Sequence, residues 1–179
     1  MRKKTNFKWL IKIVLISVAA SLAFTFASTG ILGRAGYFLS FAILAVFIAI
    51  GILFDVIGIA VTAATEAPFH SMAARRTRGA AESLRLVRGA DRVACFCNDV
   101  VGDVTGIVSG TTAALIAARL TERFSAESLV FPLVILATVT GLTVGGKAVG
   151  KTFAINNSTA IIFRVGKLVR VMRPKALTK

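Results

Sequence analysis

Six side chains in this sequence have the chemistry to act within an apolar environment: Asp55, Glu66, Asn98, Asp99, Asp103 and Lys147. Carboxylate and amide oxygens are hard ligands for a cation, and an ammonium pairs with a carboxylate. Each of the six falls inside, or just beyond the end of, a long apolar run. An ionisable group there is costly and marks a functional position by default. All six lie toward one end of their runs, so Glu66, Asp99 and Lys147 also read as interfacial anchors or salt-bridge partners. Asp103 is about ten residues into its run and is expected to face a polar cavity or a buried partner.

Other chemistry is poorly represented. His70 is the one histidine, and Cys95 and Cys97 are the one cysteine pair, so a zinc site lacks ligands. A C-x-C bridge is strained, and the two thiols read as small apolar side chains in a helix. There is no G-x-S-x-G, H-E-x-x-H or phosphate-binding loop. Residues 145–151, GGKAVGK, have the wrong spacing for such a loop and no preceding strand. An enzyme is not expected.

The apolar runs must position these groups. The chain is 56% hydrophobic with a mean hydropathy of +0.80 and a formal net charge of +14. Its basic residues crowd between and beyond the apolar runs. That is the positive-inside pattern of a membrane protein, and no groove-reading motif supports nucleic-acid binding. Four runs are long enough to span: 10–28, 37–64, 93–118 and 129–150. The first competes with a cleavable signal peptide, since Thr25 and Ala27 are small, but a retained span is expected. Every basic residue except Arg34, Arg119 and Arg123 then falls on one side, so both termini are expected in the cytoplasm of a cell whose cytoplasmic membrane holds the chain.

Two further stretches read as interfacial helices. Residues 66–92 carry six arginines with a modest apolar face of Ala80, Ala81, Leu84 and Val87, and Pro68 bends the entrance. Residues 152–173 place Ile161, Ile162, Val165, Leu168, Val169 and Met172 at helical spacing among basic residues. The basic loop suits anionic lipid. Gly102, Gly106 and Gly110 recur at every fourth position, and Gly141 and Gly145 do the same in the last run. These are expected to be small-residue faces, for helix packing across a homodimer or, in the third run, for packing around a ligand.

The order of motifs from the second run onward resembles the transmembrane domain of the CorC/cyclin-M family of magnesium transporters. The resemblance covers roughly residues 40–172. VTAATE, ending at Glu66, stands where that family has F-F-S-G-x-E. CNDVVG, with Asn98, stands for G-N-x-x-x-N, and GKAVGKT, from Gly146, for G-E-x-x-P-K-T. The resemblance implies a three-span core preceded here by an added N-terminal anchor in residues 1–36. It implies a Mg2+ site built on Ser, Asn and Glu ligands. It also implies nucleotide-binding domains after the amphipathic helix, and the residues beyond 173 are too few to form them.

At the implied ligand positions this chain has Ala63, Asn98, Gly102 and Lys147. At 4 Å, with an effective dielectric of about 20, one ammonium beside a doubly charged ion costs roughly 8 kcal/mol. Two outcomes follow. Lys147 occupies the former cation site, pairing with Asp103 or Asp99, in a non-transporting structural or regulatory subunit. Alternatively, a cation site is rebuilt from Glu66, Asn98, Asp99 and Asp103, with Lys147 as a gate, for Mg2+ or another cation; cation transport, or a role derived from it, is the leading expectation and the non-transporting subunit its rival. The expected fold is an all-α integral membrane protein with four transmembrane helices plus cytoplasmic interfacial helices.

Overall fold

The computed structural model describes residues 7–32, 36–123 and 130–172, and among them every regular element is helical. Helix α1 is Phe7–Leu32 and α2 is Tyr37–Ala63. Three short helices follow: α3 Ala67–Ala74, α4 Ala80–Arg88 and α5 Ala90–Ala94. A π-helical segment, Cys95–Gly102, leads into α6, Asp103–Arg123. The last two are α7, Val130–Asn156, and α8, Ser158–Met172.

Three helices are long and apolar enough to cross a membrane: Tyr37–Ala63, the continuous helix Ala90–Arg123 and Val130–Asn156. A 27-residue helix is about 40 Å long, which exceeds a hydrocarbon core of about 30 Å. Helix α1 also carries an apolar stretch, Ile11–Phe26 among the described residues. The N-terminal basic cluster before Phe7, Arg34 of the first expected loop and the tip of the third loop lie outside the described residues, as does the tail beyond Met172.

The chain divides into two compact units. One comprises the described parts of 1–52 and 99–146. Within it α1 packs on α6, and Leu44, Ala113 and Ile116 form a core flanked by Ile48, Leu120, Leu136 and Val139. Phe24 meets Phe47 edge to face, with centroids 5.9 Å apart. At the far end of α6, the Arg123 guanidinium lies 5.3 Å from the Tyr37 ring centre. The Tyr37 hydroxyl donates to the Arg119 carbonyl at 3.4 Å. Gly51 of α2 gives room to Thr105: a Cβ there would sit 2.7 Å from the Thr105 hydroxyl.

The other unit comprises 53–98 and the described part of 147–179. Its core is Ala60, Val61, Phe69, Ala154 and Ile162, all fully buried. Pro68 sits at the start of α3, where its missing N–H costs nothing. Arg76, with φ of 53°, ends α3 in the left-handed region, and the Thr77 N–H donates back to the Met72 carbonyl. Gly79, at φ 94°, opens α4. In α4, Glu82 lies in the first turn and Arg85 and Arg88 in the last, the order a helix dipole favours. One face of α4 packs against α8. There the Ser83 hydroxyl donates to the Ile162 carbonyl at 3.2 Å, and Gly166 lies against Ser83 and the Gly79 carbonyl.

Several extents differ from the sequence expectation. The basic stretch is three helices and not one, because Arg76 and Gly79 break it after α3 and Gly89 after α4. Ala80 is buried as expected, with Leu84 and Val87 packed on the core, but Ala81 faces outward and Ser83 is buried in its stead. Residues 152–156 belong to α7, which continues past Lys151 to Asn156. The expected glycine face is also divided: Gly102 is buried, whereas Gly106 and Gly110 are exposed. Gly102 closes the π-helical segment, whose wider turn breaks the 3.6-residue period on which that face was drawn.

Candidate functional site

The polar residues of α2, the π segment and α7 that belong to the second unit define the site. Asp55 and Gly58 are separated by three positions on α2 and therefore share a face. The Lys147 ammonium of α7 lies 3.6 Å from Asp55 Oδ1. The Asp55 side chain is 18% exposed and that of Lys147 is 33% exposed. Asn98 of the π segment presses its amide against Gly58, where a Cβ would overlap Asn98 Oδ1. Glycine at 58 is therefore what admits the amide. Asn98 Oδ1 is buried and accepts no hydrogen bond, and an orphaned buried oxygen costs about 1–3 kcal/mol.

A π-helix of eight residues is uncommon, and such segments recur at functional positions. Here it is the element that carries Asn98. The two cysteines belong to the same segment. Cys97 is buried and Cys95 partly so.

Glu66 is held elsewhere, just past the end of α2. Arg88 Nε donates to Glu66 Oε2 at 3.1 Å, and His70 Nε2 lies 3.2 Å from the same oxygen. The Arg88 hydrogen bond, followed by the one from His70, holds the Glu66 carboxyl below its ordinary value. Asp99 and Asp103 are exposed and belong to the first unit. Within the second unit, Lys147 takes Asp55 as its partner.

Among the described residues, no three His, Cys, Asp or Glu side chains gather into a group able to hold a metal ion. Mg2+ needs near-octahedral oxygen ligation. Asn98 offers one oxygen, Ala63 and Gly102 offer no side-chain oxygen, and Lys147 brings a positive charge within ion-pair distance of Asp55. These residues do not fit a Mg2+ ion. What the arrangement does chemically is satisfy Asp55 with a cation covalently attached to the chain.

Sequence reasoning had placed Asp55 among the ionisable groups without assigning it a partner, and it had missed Gly58, His70 and Arg88. The available signals were a glycine three residues after an acid on one helix face, and the one histidine four residues after Glu66. Comparison adds no assignment: no protein-family model, no curated protein and no solved structure matches the chain.

Proposed function

We propose that this chain is a multi-pass protein of the cytoplasmic membrane with four spans and both termini in the cytoplasm. In this reading it is a structural or regulatory subunit of transporter-derived architecture, and Lys147 takes the role of a bound cation. The carrying observation is the 3.6 Å approach of Lys147 Nζ to Asp55 Oδ1. The likeness of motif order to the CorC/cyclin-M transmembrane domain supports the derivation, and α1 supplies the added anchor. Positive-inside placement of the arginines supports the orientation.

The test is Mg2+ binding and flux, by calorimetry in detergent and by uptake into proteoliposomes. The parent protein is expected to bind and carry none. Lys147→Glu removes the tethered charge and places a carboxylate beside Asp55, and this variant is expected to gain Mg2+ binding. Saturable Mg2+ flux by the parent would overturn the reading.

A second reading is favoured by one observation, the unpartnered and buried Asn98 Oδ1. An oxygen left in that state suits a cation ligand, as in a divalent-cation transporter with an altered site. On this reading Asn98→Ala abolishes a flux that the parent shows.

Self-association is part of the proposal. A Cβ added at Gly106, Gly110, Gly141 or Gly145 meets nothing within 4 Å among the described residues. These open faces suit a second copy. Gly106→Leu is expected to convert a dimer to a monomer in detergent, as read by light scattering.

A further inference from the structure

Helix α8 is packed along its first part and, among the described residues, leaves apolar groups uncovered at its end. Ile162 and Gly166 are buried on the α4 side, with Ile161 and Phe163 packed on the same core. At the end of the helix, Leu168 is 60% exposed, Val171 82% and Met172 75%. Arg164, Lys167 and Arg170 are exposed around them, and α8 contains no acidic residue. The Lys167 ammonium lies 4.4 Å from the Phe163 ring centre, so its chain runs along the helix surface.

The short helices provide an internal comparison. Among the described residues of α3, α4 and α5, no large apolar side chain is exposed. Their outward surface is that of a helix facing water or headgroups. The end of α8 instead exposes three adjacent apolar groups inside a basic frame. That combination is characteristic of a helix lying in the membrane interface, with apolar groups at the acyl boundary and cations at the headgroups.

Chain continuity sets the location. Helix α7 ends at Asn156 and α8 begins at Ser158, and the Asn157 N–H still donates to the Phe153 carbonyl. A helix that starts one residue after a span starts at the membrane surface. This step rests on reading α7 as a span.

We propose that the outward end of α8, formed by Arg164, Leu168, Arg170, Val171 and Met172, is a seat for an anionic phospholipid of the leaflet at which α7 ends. The two arginines engage the headgroup, and the three apolar side chains cover the upper acyl chains. This moves the anionic-lipid contact away from the arginine-rich stretch 75–92, where the sequence alone had placed it.

The test uses the full chain in vesicles, with Trp9→Phe removing the native tryptophan and Leu168→Trp or Val171→Trp supplying a reporter. A third reporter, Arg85→Trp, stands on the water-facing surface. Brominated phosphatidylcholine and brominated phosphatidylglycerol are the quenchers, each mixed with the unbrominated form of the other. Tryptophan at 168 and at 171 is expected to be quenched, and more strongly by the brominated phosphatidylglycerol. Tryptophan at 85 is expected to be quenched weakly and equally. Removing Arg164 and Arg170 as glutamines is expected to lower the phosphatidylglycerol preference by about fivefold for each residue. Equal quenching by the two lipids overturns the headgroup assignment. Quenching by aqueous acrylamide in place of lipid assigns the face to a soluble partner and overturns the proposal. Alkaline carbonate extraction of the same vesicles reads the span separately. A chain that is extracted sinks the spanning reading, and one that is retained without quenching sinks the lipid seat alone.

Discussion

Lys147 of α7 and Asp55 of α2 form an ion pair 3.6 Å long, joining residues 92 positions apart in sequence. Removing one partner of a buried pair strands the other, at about 3–5 kcal/mol. Partial exposure of both side chains reduces this, so Lys147→Met is expected to cost about 2 kcal/mol. Asp55→Asn in the same chain is expected to restore most of the loss. A double-mutant cycle of unfolding in detergent reads the coupling. Strictly additive losses would show that the pair contributes nothing.

Gly58 and Asn98 are matched by shape. Gly58→Ala forces a methyl group into Asn98 Oδ1, and overpacking of this kind costs about 1–3 kcal/mol. Asn98→Ala vacates the space and removes an orphaned oxygen. The double variant is therefore expected to melt at or above the temperature of the parent. A double variant as unstable as Gly58→Ala would show that the clash lies elsewhere.

Glu66 gives a pH dependence whose sign follows from its partners. Arg88 first, and His70 second, hold its carboxyl below the ordinary 4.5. The folded state therefore binds the Glu66 proton more weakly than the unfolded state does. The stabilisation is complete above the ordinary value and fades as pH falls through the lower folded value. Glu66 is solvent-exposed, so the effect is small and screened by salt. The melting-point difference between parent and Glu66→Gln is expected to be flat around neutrality and to shrink in acid. A difference that persists unchanged into strong acid contradicts this.

The α4–α8 crossing has little tolerance. A Cβ on Gly166 would collide with the Ser83 hydroxyl and lie 2.8 Å from the Gly79 carbonyl oxygen. The backbone must move to relieve this, so Gly166→Ala is expected to destabilise by about 2 kcal/mol or more. Gly79→Ala adds a left-handed conformation to a close approach by the Lys167 backbone, and about 1–2 kcal/mol is expected from the conformation alone. Limited proteolysis between α3 and α4 reads both variants. Cleavage at the parental rate would show that the crossing does not hold this region.

The helical class and the apolar helices were legible in the sequence, as was the presence of Asp55, Asn98 and Lys147 within apolar runs. Composition and run length determine these directly. Less legible were the partnerships. Helical periodicity orders residues along one helix and says nothing about which helix faces which, so Lys147 could be matched to Asp99 or Asp103 as readily as to Asp55. The π segment CFCNDVVG carries no proline or other marker, and assuming a uniform α period placed Gly102 with Gly106. Arg76 in the left-handed region was equally unmarked, because arginine is not the residue expected there. The end of α7 was set too early by the charge of Lys151. The helix runs on until Asn157, whose side-chain amide donates to the Phe153 carbonyl.

The ammonium beside Asp55 has a consequence for physiology. A cation drawn from solution fills its site to a degree set by concentration, competition and chelation. Lys147 is synthesised with the chain, one per molecule, and faces no such competition. In the proposed structural subunit, the group standing in for the ion is therefore independent of magnesium supply.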